Sequence, residues 1–130
     1  MLGDQRTRPA AATVVLVSRD WQTRALLRAQ LLEEGRRVRA YELLRDAAPV
    51  FAGSPQPALL IAEVSGDEPP PELEQLSALA RRLPVWILAS HSEVCDATLA
   101  GHGFEMVFFR PLDMSDLVNR VKRRLGELIH

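Results

Sequence analysis

Four short apolar segments alternate with longer amphipathic segments along the chain. They are Thr13–Val17, Ala58–Ala62, Val85–Ala89 and Met106–Phe109. Continuous apolar runs of this length are typical of strands that are buried on both faces of a parallel sheet. A fifth strand is predicted at Arg37–Tyr41, where polar and apolar residues alternate as they do in a strand at the edge of a sheet.

The segments between the strands have the apolar spacing of helices. Asp20 offers a capping carboxylate to a first helix that runs to about Glu34, and Gly35 is its predicted stop. The other predicted helices are Glu42–Ala52, bent or interrupted near Pro49, then Glu72–Leu83, a weak helix at Glu93–Ala100, and a last helix from Asp113 or Met114 to Ile129. The predicted inward residues are Leu27 and Leu31 with Leu26 alongside, then Leu73, Leu76, Leu79, Ala80 and Leu83, and finally Leu117, Val118, Val121, Leu125 and Leu128.

Strands that alternate with helices at this spacing predict right-handed crossovers and a doubly wound α/β fold. In such a fold the carboxyl ends of the strands line one crevice, where ligands bind and chemistry takes place. The residues that follow the predicted strands are therefore the candidate functional residues. They are Ser18, Arg19 and Asp20, then Glu63, then Ala89 and Ser90, and finally Arg110 and Pro111.

Composition sets the broad class of the protein. A chain of 130 residues is long enough for one domain with a buried core. Its net charge of −1 does not favour bulk attraction to nucleic acid or to an anionic membrane. The single cysteine, Cys95, cannot form an internal disulfide, which fits a cytoplasmic protein. We expect residues 1–12 to form a flexible leader and residues 13–130 to form the folded domain.

Taken together, these segments resemble the receiver domain of two-component response regulators. Leu16–Asp20 through Leu31–Gly35 is similar to the first strand and helix of that family, Pro84–Ala89 with Ser90 to its fourth strand, and Phe108–Leu112 to the Lys-Pro end of its fifth. The likeness covers nearly all of residues 13–129. It implies a (βα)5 flavodoxin-like receiver sandwich with a parallel five-stranded sheet of order 2-1-3-4-5.

The resemblance also implies a phosphorylation site, and this chain departs from it. The family holds Mg²⁺ with two adjacent carboxylates after the first strand and accepts the phosphoryl group on an aspartate after the third. A hydroxyl and a lysine follow the fourth and fifth strands. At these positions, in order, the chain has Ser18 and Arg19 (with Asp20 one place beyond), Glu63, Ala89 and Arg110.

These substitutions predict a crevice without switch chemistry. Two arginines, Arg19 and Arg110, stand among two carboxylates, so the crevice is neutral without a metal ion. We therefore expect no cofactor, no stable Mg²⁺ binding and no enzymatic activity. Glu63 is one methylene longer than aspartate and is predicted to form an ion pair with Arg19, with Arg110 bidentately, or with both. For Asp20, helix capping is favoured over metal binding.

Further residues have structural interpretations. Arg110–Pro111 is predicted to carry a cis peptide bond, as the family's Lys-Pro does. Trp21 and Trp86 are predicted packing residues, with Trp21 beside the crevice. The spacing of His91, His102 and Cys95 matches no zinc site, and the basic cluster of the last helix is interpreted as a solvated face rather than a nucleic-acid site. That cluster is Arg120, Lys122, Arg123 and Arg124.

The leading prediction is a degenerate receiver, or pseudo-receiver, that acts in two-component signal transduction by protein–protein interaction, independently of phosphorylation. Its partner is a histidine kinase, an output domain or, in a homodimer, a second copy. Partners are expected on the last helix and strand, at Val107, Leu117, Arg120 and Arg124, or on Glu93–Ala100. The alternative is a working phosphorelay receiver that accepts a phosphoryl group at Asp20, Asp67 or Glu63. A flavodoxin-like cofactor binder is disfavoured, because no Gly-rich loop follows the first strand.

Overall fold

Five parallel strands form one sheet in the computed structural model, which describes residues 13–53, 55–64, 72–89, 99 and 101–126. The strands are β1 (Thr13–Val17), β2 (Arg37–Tyr41), β3 (Leu59–Glu63), β4 (Val85–Ala89) and β5 (Met106–Phe109). The described helices are α1 (Trp21–Glu33), α2 (Leu44–Ala52), α3 (Leu73–Ala80) and α4 (Met114–Arg124).

The strand order is β2-β1-β3-β4-β5, as predicted, and every neighbouring pair is parallel. The register aligns the carboxyl ends of the central strands. Val17 lies opposite Ala62, Glu63 opposite Leu88, and Ala89 opposite Phe109. The residues that follow these strands therefore share one edge of the sheet, which is the predicted crevice.

Each face of the sheet has its own buried core, because the central strands are apolar on both sides. One face packs against α2 and α3, with Phe51 and Leu76 among the buried residues. The other packs against α1 and α4, through Leu27 and Leu31 of α1 and Val121 of α4. Helices thus cover both faces of the parallel sheet, as a doubly wound α/β fold requires.

The predicted helix signals are confirmed at several ends. Asp20 caps α1, accepting a hydrogen bond from the Gln22 amide at 3.0 Å. Gly35, with φ of +81°, follows the helix as its stop. Asp113 caps α4 in the same manner, through the Asp116 amide at 3.0 Å.

Three helices have boundaries that differ from the prediction. The third helix ends at Ala80 rather than Leu83. The second helix begins at Leu44 rather than Glu42 and continues through Pro49 without interruption. The last helix ends at Arg124 rather than Ile129. There, Gly126 adopts φ of +88° and donates its amide to the Lys122 carbonyl at 3.1 Å, a closing bond that ends the helix.

Two apolar side chains of α1 that were predicted to pack are instead exposed. Trp21 is 66 % exposed and Leu26 is 57 % exposed. The helix contacts the sheet through the face of Leu27 and Leu31, and a step of about 100° per residue turns Leu26 and Trp21 away from that face. Trp86 is buried as predicted. None of the helices that the structure describes is long and apolar enough to cross a bilayer.

Several predicted features lie outside the described residues. They are the leader at 1–12, the proline loop with Asp67, Ser90, His91, Cys95, Leu128, and the chain end from Ile129 to His130. Of the predicted Glu93–Ala100 helix, only Leu99 is described, and it is helical and buried.

The buried Trp86 side chain takes part in a polar brace between the sheet and the last helix. Its indole Nε1 donates to Glu105 Oε1 at 2.8 Å, and Arg124 Nε donates to both Glu105 oxygens at 2.9 and 3.1 Å. The hydrogen bond from Arg124 lowers the pKa of Glu105 below its ordinary value of 4.5, and the bond from Trp86 adds to this against the opposing effect of burial. The brace connects β4, the start of β5 and α4.

We expect Glu105→Gln to reduce the free energy of unfolding by up to about 1 kcal/mol at neutral pH, since the ion pair is half-exposed. Because the pKa of Glu105 is lowered in the folded state, its contribution is complete above pH 4.5 and is lost as the pH falls through the lower folded pKa. The difference between the variant and the wild type should therefore shrink in acid. Urea denaturation across the acid range measures it, with Glu74→Gln as an exposed control. A difference that stays constant with pH would contradict the brace.

Candidate functional site

The crevice is built around Glu63, the last residue of β3. Its side chain is only 10 % exposed, so its carboxylate needs compensating partners. Oxygen Oε1 accepts a hydrogen bond from Ser18 Oγ at 2.6 Å and a long one from the Asp20 amide at 3.4 Å. Oxygen Oε2 accepts from Arg110 Nη2. Both carboxylate oxygens are therefore engaged.

Ser18 reaches Glu63 from the end of β1. Its backbone amide continues the sheet by donating to the Tyr41 carbonyl at 3.0 Å. The residue is 1 % exposed, and its hydroxyl has Glu63 Oε1 as its nearest acceptor, with the Asp20 carbonyl farther away at 3.2 Å. Where the family has a carboxylate that binds metal, this chain therefore has Ser18, which donates a hydrogen bond to the Glu63 carboxylate.

Arg110 reaches Glu63 from the opposite side, from the end of β5. Its backbone amide donates to the Ala89 carbonyl at 3.0 Å, and the peptide bond to Pro111 is cis, as predicted. The described contact with Glu63 runs through one nitrogen, Nη2, rather than bidentately. The same nitrogen lies 3.3 Å from Thr23 Oγ1, so one guanidinium nitrogen connects β3 with α1.

Asp20 lies at the rim of the crevice as the cap of α1. The hydroxyl of Thr23 donates to Asp20 Oδ2 at 2.8 Å, and this bond is the main cause of the lowered pKa of Asp20. Arg110 Nη2 is 4.0 Å from the same oxygen. Thr23 thus joins Asp20 to Arg110, and the carboxylate is committed to capping contacts.

The ion pair that was predicted between Arg19 and Glu63 is wrong. Its side chain is 68 % exposed and its described ion pair, at 3.9 Å, is with Glu72 at the start of α3 rather than with Glu63. The exposed guanidinium of Arg19 is therefore paired at the surface, whereas Ser18, one residue earlier, is buried against Glu63. The ion pair of the crevice is therefore formed by Arg110 alone of these two arginines.

Two residues that contribute to the crevice were missed in the sequence. Thr23 stands three residues after the capping Asp20, a spacing that could have identified it as a partner of that cap. Arg24 donates from Nη1 to the Ser18 carbonyl, and nothing in the sequence pattern distinguishes it from a solvated arginine. Ala89 is fully buried and brings only a methyl group to the position of the family's hydroxyl.

This donor set does not fit Mg²⁺. A divalent ion would have to displace the guanidinium of Arg110 from Glu63, and Asp20, the other carboxylate predicted for the crevice, is occupied by its capping bonds. Within the described ranges, no group of three or more His, Cys, Asp or Glu side chains is arranged to hold a metal ion. The arrangement is that of a hydrogen-bonded ion pair.

The predicted partner face is only partly available. Leu117 is fully buried between α4 and the sheet, so it cannot contact a partner, whereas Val107, Arg120 and Arg124 reach the surface. Three of the four basic residues of α4 form ion pairs: Arg120 pairs with Asp116 at 3.0 Å, Lys122 with Glu34 at 3.2 Å and Arg124 with Glu105. Arg120 also lies over the Phe108 ring, 5.9 Å from its centroid. Much of the positive charge is thus compensated locally, as expected for a solvated face.

Comparison with known proteins identifies the fold. No protein-family model matches the chain, and no curated protein matches it by sequence. Among solved structures, a two-component response regulator from Clostridium difficile superimposes with a TM-score of 0.74 at 14% identity, covering 92% of this chain and 99% of the other. An orphan response regulator of H. pylori gives 0.72 at 16% identity, covering 89% and 98%. A CheY-like receiver domain protein from Methanospirillum hungatei JF-1 gives 0.71 at 15% identity, covering 90% and 95%.

The chain therefore has the fold of CheY-like response-regulator receiver domains, as the sequence resemblance predicted. The likeness extends over nearly the whole length of these structures, so the crevice at the strand ends occupies the corresponding place in the fold. At these identities the comparison establishes the fold, and the chemistry of the crevice rests on the residues described above.

We expect Arg110→Ala to reduce the free energy of unfolding by about 1–3 kcal/mol, because it leaves the Glu63 carboxylate buried without its cation. The half-exposed position of Arg110 keeps the loss toward the lower end of that range. Arg19→Ala is the matched control, since Arg19 is exposed and its ion pair is long; we expect a loss under about 0.5 kcal/mol. Chemical denaturation of both variants measures the difference. Equal losses would contradict the assignment of the ion pair to Arg110.

Proposed function

We propose that the protein is a receiver-like signalling module of a two-component system that works by binding other proteins and accepts no phosphoryl group. The observation that carries this proposal is Glu63, the residue at the acceptor position, with both carboxylate oxygens engaged by Ser18 and Arg110. The receiver fold supports the signalling class, and the crevice supports the independence from phosphorylation.

A phosphoryl acceptor needs one oxygen free for in-line attack and a cation to neutralise the incoming charge. In this crevice, a donor approaching Oε2 of Glu63 meets the guanidinium of Arg110. Attack would require that ion pair to break first, which leaves a carboxylate that is only 10 % exposed without its partner. Because glutamate is one methylene longer than aspartate, its carboxylate oxygens are also displaced from the position at which an aspartate would attack.

Among the described residues of the crevice, the positions that would carry a signal away from a phosphorylated acceptor are changed. Ala89 brings no hydroxyl to bind a phosphoryl oxygen, and the family's lysine is replaced by Arg110. That arginine is held by Glu63 and Thr23 together. The Glu63 carboxylate, held by Ser18 and Arg110, therefore stands where a working receiver would form a regulated charge.

Function on this account belongs to surfaces rather than to the crevice. The proposed partners are proteins: a histidine kinase, an output domain or a second copy of the chain. The proposal places the protein in the cytoplasm and assigns it no enzymatic activity. Input reaches it through the presence or state of a partner.

The proposal is tested by intact-mass spectrometry after incubation with acetyl phosphate and Mg²⁺, with ¹H–¹⁵N spectra recorded during addition of Mg²⁺ and then beryllofluoride. We expect no phosphate adduct and no saturable shift at Ser18, Asp20, Glu63 or Arg110. A working receiver domain treated in parallel is the positive control.

A phosphate-sized mass gain would overturn the proposal in favour of a phosphorelay receiver. Glu63→Gln and Asp20→Asn then identify the acceptor, since the adduct disappears only when the accepting carboxylate is removed. An adduct that survives both substitutions would direct attention to Asp67.

A further inference from the structure

An open groove separates α2 from α3 on the outer surface of the domain. Each of these helices makes its close contacts with strands of the sheet. Between them remains a groove of about 640 Å³, within the range of volumes that protein ligands occupy. It lies on the face of the sheet opposite α1 and α4, apart from the face formed by α4 and β5.

The floor of this groove is apolar and its walls are mostly so, with Gln75 on α3 as the uncharged polar residue of the lining. Phe51 and Leu79, both nearly buried, form part of its floor. Three exposed alanines line its walls: Ala48 and Ala52 on α2 and Ala78 on α3. Small side chains on both walls allow the backbone of a third helix to approach closely, which gives the groove the shape that a helix ridge fills.

The groove has positive charge at both ends. Arg45 lies exposed in the first turn of α2. Arg82 lies at the other end, where its Nη2 donates to the Phe51 carbonyl at 2.7 Å and holds the guanidinium across the last turn of α2. Among the described residues that line the groove there is no carboxylate; Asp46 and Glu74, the nearest in sequence, lie outside the lining.

We propose that this groove binds an acidic amphipathic helix of a partner protein. The distance between the two arginines sets the spacing of acidic residues on the partner helix. Arg82 is bonded to the Phe51 carbonyl, so its position along α2 is that of Phe51. Arg45 and Phe51 are six residues apart on α2, which is about 9 Å along the helix axis. A docked helix matches this spacing with carboxylates about two turns apart, at positions i and i+7, and with apolar residues at i+3 and i+4 over Phe51 and Leu79.

This inference rests on the proposed function, since it gives a surface and a partner chemistry to a module that acts by binding proteins. The two can fail separately. Phosphate transfer to the crevice would overturn the proposed function and leave the groove untouched. A groove that binds no acidic helix would leave the chemistry of the crevice unchanged.

The test is a selection from a display library of random peptides about 16 residues long, enough for four helical turns, against the full chain. We expect enriched peptides to carry Asp or Glu at i and i+7 around apolar residues at i+3 and i+4. Binding of synthetic copies should weaken about tenfold or more in Ala78→Glu, which places a carboxylate on the groove wall, and in Arg45→Glu, which reverses the charge at one end.

Arg28→Glu is the matched control, because Arg28 is an exposed arginine on α1, on the other face of the sheet. It should leave peptide binding unchanged. Circular dichroism verifies that each variant is folded. The inference is overturned by a selection that enriches no peptide, by enriched peptides without the acidic pattern, or by binding that survives both groove substitutions. Sedimentation showing a dimer that Ala78→Glu dissociates would also overturn it, since a second copy would then occupy the groove.

Discussion

The buried carboxylate of Glu63 is the constraint on which the crevice depends. An ionised group so little exposed is stable only with its charge and its hydrogen-bonding oxygens compensated. Here the compensation comes from Ser18 after β1 and Arg110 after β5. Through Thr23, the same arginine is connected to the first turn of α1. One carboxylate thus fixes the relative positions of three strand ends and a helix, at the edge of the sheet where a parallel α/β fold places its chemistry.

On the proposed function, this arrangement changes what the fold does. A crevice dominated by carboxylates needs a divalent cation, and the cation in turn makes phosphoryl transfer possible. A crevice in which arginine supplies the positive charge is complete without metal, and arginine remains charged at any physiological pH. The same local neutralisation occurs on α4, where three of the four basic residues form ion pairs. Arg45 and Arg82, at the ends of the groove between α2 and α3, have no carboxylate among the described residues that line that groove.

Residue pattern predicts the parts of this structure that depend on burial and on local backbone chemistry. The apolar runs give the strands, and Asp20, Gly35 and Asp113 mark helix ends, because each acts on its own segment. The partner of Arg19 could not be predicted, since Glu72 lies far from it in sequence and comes near it only in the folded chain. The prediction that Leu26 packs beside Leu27 was wrong, because a helical step of about 100° per residue turns it away from the sheet. Leu117 was predicted on the partner face but is fully buried. A family resemblance indicates which face binds partners, whereas the packing decides which residues of that face reach the surface.

The most direct test of the central claim is a double-mutant cycle on stability with Glu63→Gln, Arg110→Met and the double variant. The cycle isolates the coupling between the two side chains from the cost of changing each. We predict a coupling free energy above about 1 kcal/mol, with the double variant more stable than the sum of the single losses implies. A coupling within about 0.3 kcal/mol of zero would contradict the account, because the two groups would then not depend on each other.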